Sequence, residues 1–256
     1  MLTHPYDPDC LLFGIPDLAA DEPHPVTAGV IEKLRAVARW AQDYLCRPHP
    51  DLGRKGPVCP YAQASLDRGT FYLGVLRGTA FRAAELGELL VRYRDWFRAL
   101  EPSTGPAAQF KTILLVFPDL PQDAAVRVVD ATQERLKPQY VADGLMIGEF
   151  HAGPPPKAGL WNPDFRPLRS PQPLLAIRHM VPSDLPFLEG ERDLVAAYLD
   201  HFGPVLAAGL RTRAAAVAAR FGLSVPDGGI GHPGVPQRAA DGPRGQQSEP
   251  QPQGAR

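Results

Sequence analysis

Cys59 is the first side chain with chemistry to offer. It lies in Gly56-Pro57-Val58-Cys59-Pro60-Tyr61, where prolines and a glycine make a shaped, rigid loop. Arg54 and Lys55 stand close by in sequence. Cationic neighbours favour the thiolate, the form of cysteine that attacks electrophiles and binds metals. A free cysteine is more often a small buried apolar residue, so Cys59 carries both readings. His151 closes a predicted strand, Glu149-Phe150-His151, and faces a Pro/Gly-rich loop. Strand ends hold reactive groups still against a ligand. A neutral imidazole is a common metal ligand and a usual axial ligand of haem iron. The plainer reading is a hydrogen-bonded histidine at a strand end. Arg166, Arg169 and Arg178 form a third feature. Guanidinium groups grip carboxylates through two parallel bonds, which suits haem propionates or a substrate acid, and equally suits surface ion pairs. His179 adjoins Arg178 on a predicted strand, so it points to the opposite face and reads as structural. The Asn162 amide either orients a ligand or makes an Asx turn before Pro163.

Several familiar chemistries are missing from the chain. There is no GxxxxGK[ST] phosphate loop, no GxGxxG after a strand, no GxSxG elbow, no HExxH and no Asp-rich calcium loop. No pair of carboxylates stands out as an acid/base couple.

The elements that must position these residues follow from hydrophobic periodicity. A helix is predicted over 27–45, with Val30, Leu34, Val37, Ala41 and Tyr44 on one face. A strand is predicted over 70–76 from its β-branched and aromatic content, then a helix over 81–100. Residues 112–117 are continuously apolar, as a central strand buried on both faces would be. A helix near 122–137, strands at 145–150 and 174–181, and a helical region from 183 to Phe202 follow, with a last helix carrying Leu206, Leu210, Val217 and Phe221. The long loop 152–172 holds Trp161, Phe165 and Leu168, which should pack onto something. These elements give an α+β fold: a mixed four-stranded sheet, in part parallel, with helices packed on it and C-terminal helices. Residues 1–25 read as an extended N-terminal arm, 26–222 as a single α+β domain, and 223–256 as a disordered Gly/Pro-rich tail.

Composition sets the bounds. The 256 residues are 44% hydrophobic, enough for a buried core. The 27 Lys+Arg nearly cancel the 28 Asp+Glu, so nothing favours nucleic acid or an anionic membrane as a partner. Cysteines number three (Cys10, Cys46 and Cys59), with no CxxC, which argues against a disulfide framework or a structural zinc. No signal peptide or membrane span is apparent, and the expected compartment is the cytoplasm.

Three stretches carry a resemblance: Gly53 to Tyr61 with Gly69-Thr70-Phe71, Gly144 to His151, and Asn162 to Pro171 through Ile177-Arg178. Together they resemble a bacterial domain family of unknown function that often sits among biosynthetic enzymes, over residues 26–203. More remotely, the layout is similar to the YqcI/YcgG family, whose characterised members are haem-dependent enzymes that oxidise amine or guanidine nitrogen. That resemblance implies His151 as the axial iron ligand, Cys59 in the loop over the pocket, and Arg166 or Arg169 as the downstream arginine. The order here is Cys-Pro where that family has Pro-Cys, and Ala152 stands where it has proline. The leading expectation is therefore a haem-dependent N-oxygenase acting on a small amine or guanidine metabolite. Second comes a non-catalytic ligand-binding or accessory protein of a biosynthetic pathway, and third an enzyme using Cys59 as nucleophile. A small-molecule substrate and a homodimer complete the expected partners.

Overall fold

The computed structural model describes residues 1–19, 24–157 and 161–226. The chain runs β1 (Leu2–His4), β2 (Asp7–Phe13), α1 (Ile15–Ala19), α2 (Ala28–Trp40), α3 (Ala62–Asp67), β3 (Phe71–Val75) and α4 (Ala83–Ala99). It continues through β4 (Thr112–Val116), α5 (Ala131–Ala142), β5 (Leu145–Phe150), β6 (Leu174–His179), α6 (Arg192–Phe202) and α7 (Ala208–Ala219). Wider π-type turns extend α2 through Ala41–Leu45 and lead into α5 at Val126–Asp130.

The sheet has six strands in the order β1-β2-β3-β4-β6-β5, not the expected four. The extra pair comes from the segment expected to be an extended arm. Its strand signal is masked because β2 begins Asp7-Pro8-Asp9, which are poor strand formers. Only Leu12 and Phe13 pair with β3, opposite Gly74 and Leu73. The proline therefore lies beyond the β3 ladder, where its missing N–H costs little. β3 and β4 are parallel and the other pairs antiparallel. The expected disordered tail falls on residues 227–256, outside those described, apart from 223–226.

Strand alternation divides the core. Ile113, Leu115, Ile147, Leu175 and Ile177 pack with Leu90, Tyr93 and Phe97 of α4 and Tyr140 of α5. Phe71, Leu73, Leu114, Val116 and Leu174 face Val30, Leu34 and Val37 of α2. α6 and α7 close a third cluster over Met146 and Met180. Among the described residues, no helix is long and apolar enough to cross a membrane.

One charge sits inside this core. Lys111, fully buried just before β4, donates to the Leu100 carbonyl and lies 4.5 Å from the Phe97 ring centroid. Burial pushes its pKa down to about 8, against the opposing pull of Glu101. Its folded pKa lies below the unfolded value of 10.5, so the folded state is penalised while the amine is charged, and the penalty fades as pH rises from 8 to 10.5. Against a Lys111→Met variant, the parent should accordingly gain roughly 3 kcal/mol between those pH values. Paired denaturant titrations at pH 7 and 10.5 measure this, and a constant difference would show that folding leaves the Lys111 pKa where it is in the unfolded chain.

Candidate functional site

The long loop between β5 and β6 is held at its root by His151. This imidazole is 2% exposed. Its Nδ1 accepts the Gly153 N–H at 3.2 Å, so Nε2 carries the proton and donates to Asp130 Oδ1 at 2.9 Å. Burial pushes the Asp130 carboxyl above its ordinary range, against the pull of that bond. The His151 carbonyl accepts from Ser170 N–H at 3.1 Å, and Arg169 Nε donates to the Ala152 carbonyl at 3.0 Å. Both ends of the loop are thereby closed on one another and tied to the turn before α5.

An axial ligand needs a lone pair facing open space. Both ring nitrogens of His151 are engaged, so the residue as placed does not fit that role. Among the described residues, no cluster of three His, Cys, Asp or Glu is arranged to hold a metal ion.

From its root the loop crosses to the end of α2 and encloses a cleft of about 830 Å³, within the range of small-molecule sites. Trp40 and Tyr44, four residues apart on the helix and its extension, stack at 6.0 Å and form one wall. His49 stacks on Phe165 at 4.4 Å and 20° to form another. Burial pushes the Tyr44 hydroxyl up to about 12, so it stays protonated, and it donates to the Pro167 carbonyl at 3.2 Å. Gly53 adopts φ +65°, and a Cβ there would fall 2.2 Å from Cβ of Trp161. The loop thus packs onto the 49–53 turn, with Phe165 buried and Trp161 lying over Gly53 while 73% exposed.

The expected site residues are not brought together. Arg166 and Arg169 line this cleft. Arg178 instead grips Asp184 through two bonds of 2.7 and 2.6 Å, and Asp184 also accepts the Val181 N–H. Burial opposes the Arg178 charge, but the Asp184 carboxylate outweighs it and holds the guanidinium firmly protonated. Cys59 lines a separate hollow of about 70 Å³ with Ser65, Lys111 and Arg178, large enough for water rather than substrate. Arg54, expected to activate the thiol, donates to the Lys55 and Val58 carbonyls, and no histidine lines the hollow to serve as base.

Residues 34–213 match a domain of unknown function, DUF6875. The chain belongs to the DUF6875 family. No curated protein and no solved structure matches it. The matched span holds β3 to β6, the four strands legible in the sequence, and leaves the β1–β2 hairpin outside. All cleft residues of this DUF6875 chain fall within that span. Sequence reasoning overlooked Trp40, His49 and Asp130. The first two had a faint signal, an aromatic pair at i, i+4 followed by a histidine between prolines. Asp130 had none, because its partner lies 21 residues away.

If His151 is the loop's anchor, His151→Gln should cost about 2 kcal/mol by leaving the Asp130 carboxylate underused. That is roughly 6 °C in Tm for a domain of this size. Limited proteolysis should then cut first within 152–171. Parent-like melting and cleavage would show that the loop is held by other contacts.

Proposed function

We propose that this DUF6875 chain binds a small amphoteric metabolite, with a flat or aromatic body, an acid group and an amine, in the cleft between α2 and the β5–β6 loop. The observation that carries the reading is the lining: two arginines, two aspartates and two aromatic walls around one space. Arg169 spends only Nε on the protein, and its two terminal nitrogens have no partner among the described residues, so they offer a fork to a carboxylate. Arg166 braces the Pro163 and Phe165 carbonyls through Nη1. Asp51 and Asp164 balance those charges and suit an amine, with the Trp40 face available for a cation–π contact. A nitrogen-bearing metabolite is also the substrate class that the remote YqcI/YcgG resemblance implies.

Calorimetric titration with tyrosine, tyramine and 4-hydroxyphenylacetate separates the contributions of the two charges. Tyrosine should bind best. Arg169→Gln should weaken tyrosine and the acid about tenfold while leaving the amine unchanged, as loss of a charge-assisted bond predicts. If none of the three binds, or if Arg169→Gln binds all three like the parent, the reading fails.

A haem cofactor in the same cleft is a second reading, favoured by His49. Its Nδ1 accepts the Asp51 N–H at 3.3 Å, the Asp51 carboxylate is 3.8 Å from the same nitrogen, and Nε2 has no partner among the described residues. A proton moved to Nδ1 and held by that carboxylate would leave Nε2 able to ligate iron, the arrangement in which metal-binding histidines are commonly supported. Bound haem would supply oxygen or peroxide activation. Haemin titration followed in the Soret region should then show a band that His49→Ala removes and His151→Ala keeps. A band lost only with His151 would instead return that role to His151.

A further inference from the structure

A second cavity, of about 520 Å³, lies on the far side of the loop, around β5 at the outer edge of the sheet. Its most telling member is Glu149, 2% exposed. Lys157 pairs with one carboxylate oxygen, while the other, Oε2, is buried with no hydrogen-bond partner among the described residues. A buried carboxylate oxygen left unpaired is costly, and it asks for an O–H or N–H donor. Glu149 lines the cavity, so that donor can come from an occupant.

The remaining charges define the rest of the occupant. Arg178 is neutralised by Asp184, Lys157 by Glu149, and Glu189 by Arg213 at 3.5 Å. That leaves Lys137 and Arg220, both lining the cavity, with no carboxylate in ion-pair contact among the described residues. The charged wall has a positive excess that an anion would satisfy. Burial lowers the pKa of Lys137, against the pull of Glu191, a cost that a bound anion would offset. Apart from the Gln133 amide, which donates to the Ile147 carbonyl, the remaining side chains are apolar, with Met146, Phe150, Leu168, Pro186 and Phe187. Phe187 stays 43% exposed at its mouth. Gly148 keeps the floor open, since a Cβ there would press on the Phe150 ring at 3.2 Å.

We infer that this cavity is a second ligand site, for an organic acid with a hydroxyl beside the acid group and an apolar tail. The acid lies between Lys137 and Arg220, the hydroxyl donates to Glu149 Oε2, and the tail covers the apolar floor. The inference does not rest on the cleft reading, because the two spaces share no lining residue.

Calorimetry on the full chain with 2-hydroxyoctanoate and octanoate tests it. The hydroxy acid should bind about tenfold tighter, the worth of one hydrogen bond to a charged acceptor. Lys137→Gln should weaken both acids about tenfold, and Glu149→Met should erase the preference between them. Arg169→Gln, in the cleft, should leave both affinities unchanged. Since Glu149→Met strands Lys157 and could unfold the chain, Lys137→Gln is the deciding variant. If neither acid binds, if the two bind equally to the parent, or if Lys137→Gln binds like the parent, the second site does not exist. Binding lost in Arg169→Gln would place the acid in the cleft and overturn the inference as well.

Discussion

A single hydrogen bond inside the protein, from His151 Nε2 to Asp130 Oδ1, governs how the rest of the site is arranged. The imidazole is almost wholly buried, and a polar group in that position is tolerated only when its donor and its acceptor are both satisfied. Asp130 accepts a hydrogen bond from one nitrogen and Gly153 N–H donates to the lone pair of the other. The consequence is geometric. β5 ends where the histidine is held, and the chain must return beside it at Arg169 and Ser170, so the intervening loop is closed at its base however it runs beyond. A residue whose type suggested a reactive group is thereby occupied in holding the structure that carries other groups.

With its base fixed, the loop acts as a partition. Asp164, Phe165, Arg166 and Arg169 look into the cleft beside α2, while Pro156, Lys157 and Leu168 look into the cavity around β5. The ring pair Trp40–Phe150, 5.8 Å apart and nearly perpendicular, stands between the two spaces, one ring lining each. Their electrostatics differ. In the cleft two arginines face two aspartates, whereas in the cavity every anion already has a partner and two cations do not. The two spaces would therefore select ligands of different charge.

The fold was legible in the sequence wherever burial is one-dimensional. The apolar run of β4, buried on both faces, and the alternation that sends Arg178 and His179 to opposite sides of β6, are local signals, and His179 does pack on Phe97 at 5.0 Å. β1 and β2 were not legible, because most of β2 lies beyond its short ladder with β3 and tolerates residues that a central ladder would exclude. The helix expected at 122–137 forms later, as α5, after a short 3₁₀ turn and a π-type turn, and it runs through Pro138. For the site, residue types showed which side chains could do chemistry but not where they would meet. Arg166 and Arg169 are close in sequence and share the cleft. Cys59, His151 and Arg178 depended on long-range packing, and packing sent each to a separate task.

β5 shows why the second cavity falls where it does. It is an edge strand, and an edge presents unpaired backbone groups that a protein must cover or block. Among the described residues, it does so with side chains rather than with a seventh strand. Gln133 of α5 donates its amide to the Ile147 carbonyl at 3.0 Å, and Lys157 from the loop reaches Glu149. Side chains cover an edge less completely than a strand would, since they pin individual groups and leave space between them. The cavity is that space, and the unpaired Glu149 oxygen is the polar group that this partial cover leaves over. A filled edge would have buried Glu149 without any route to a partner, at a cost that folding would have had to offset elsewhere. The same incompleteness that leaves the carboxylate unsatisfied is what makes it reachable by a ligand.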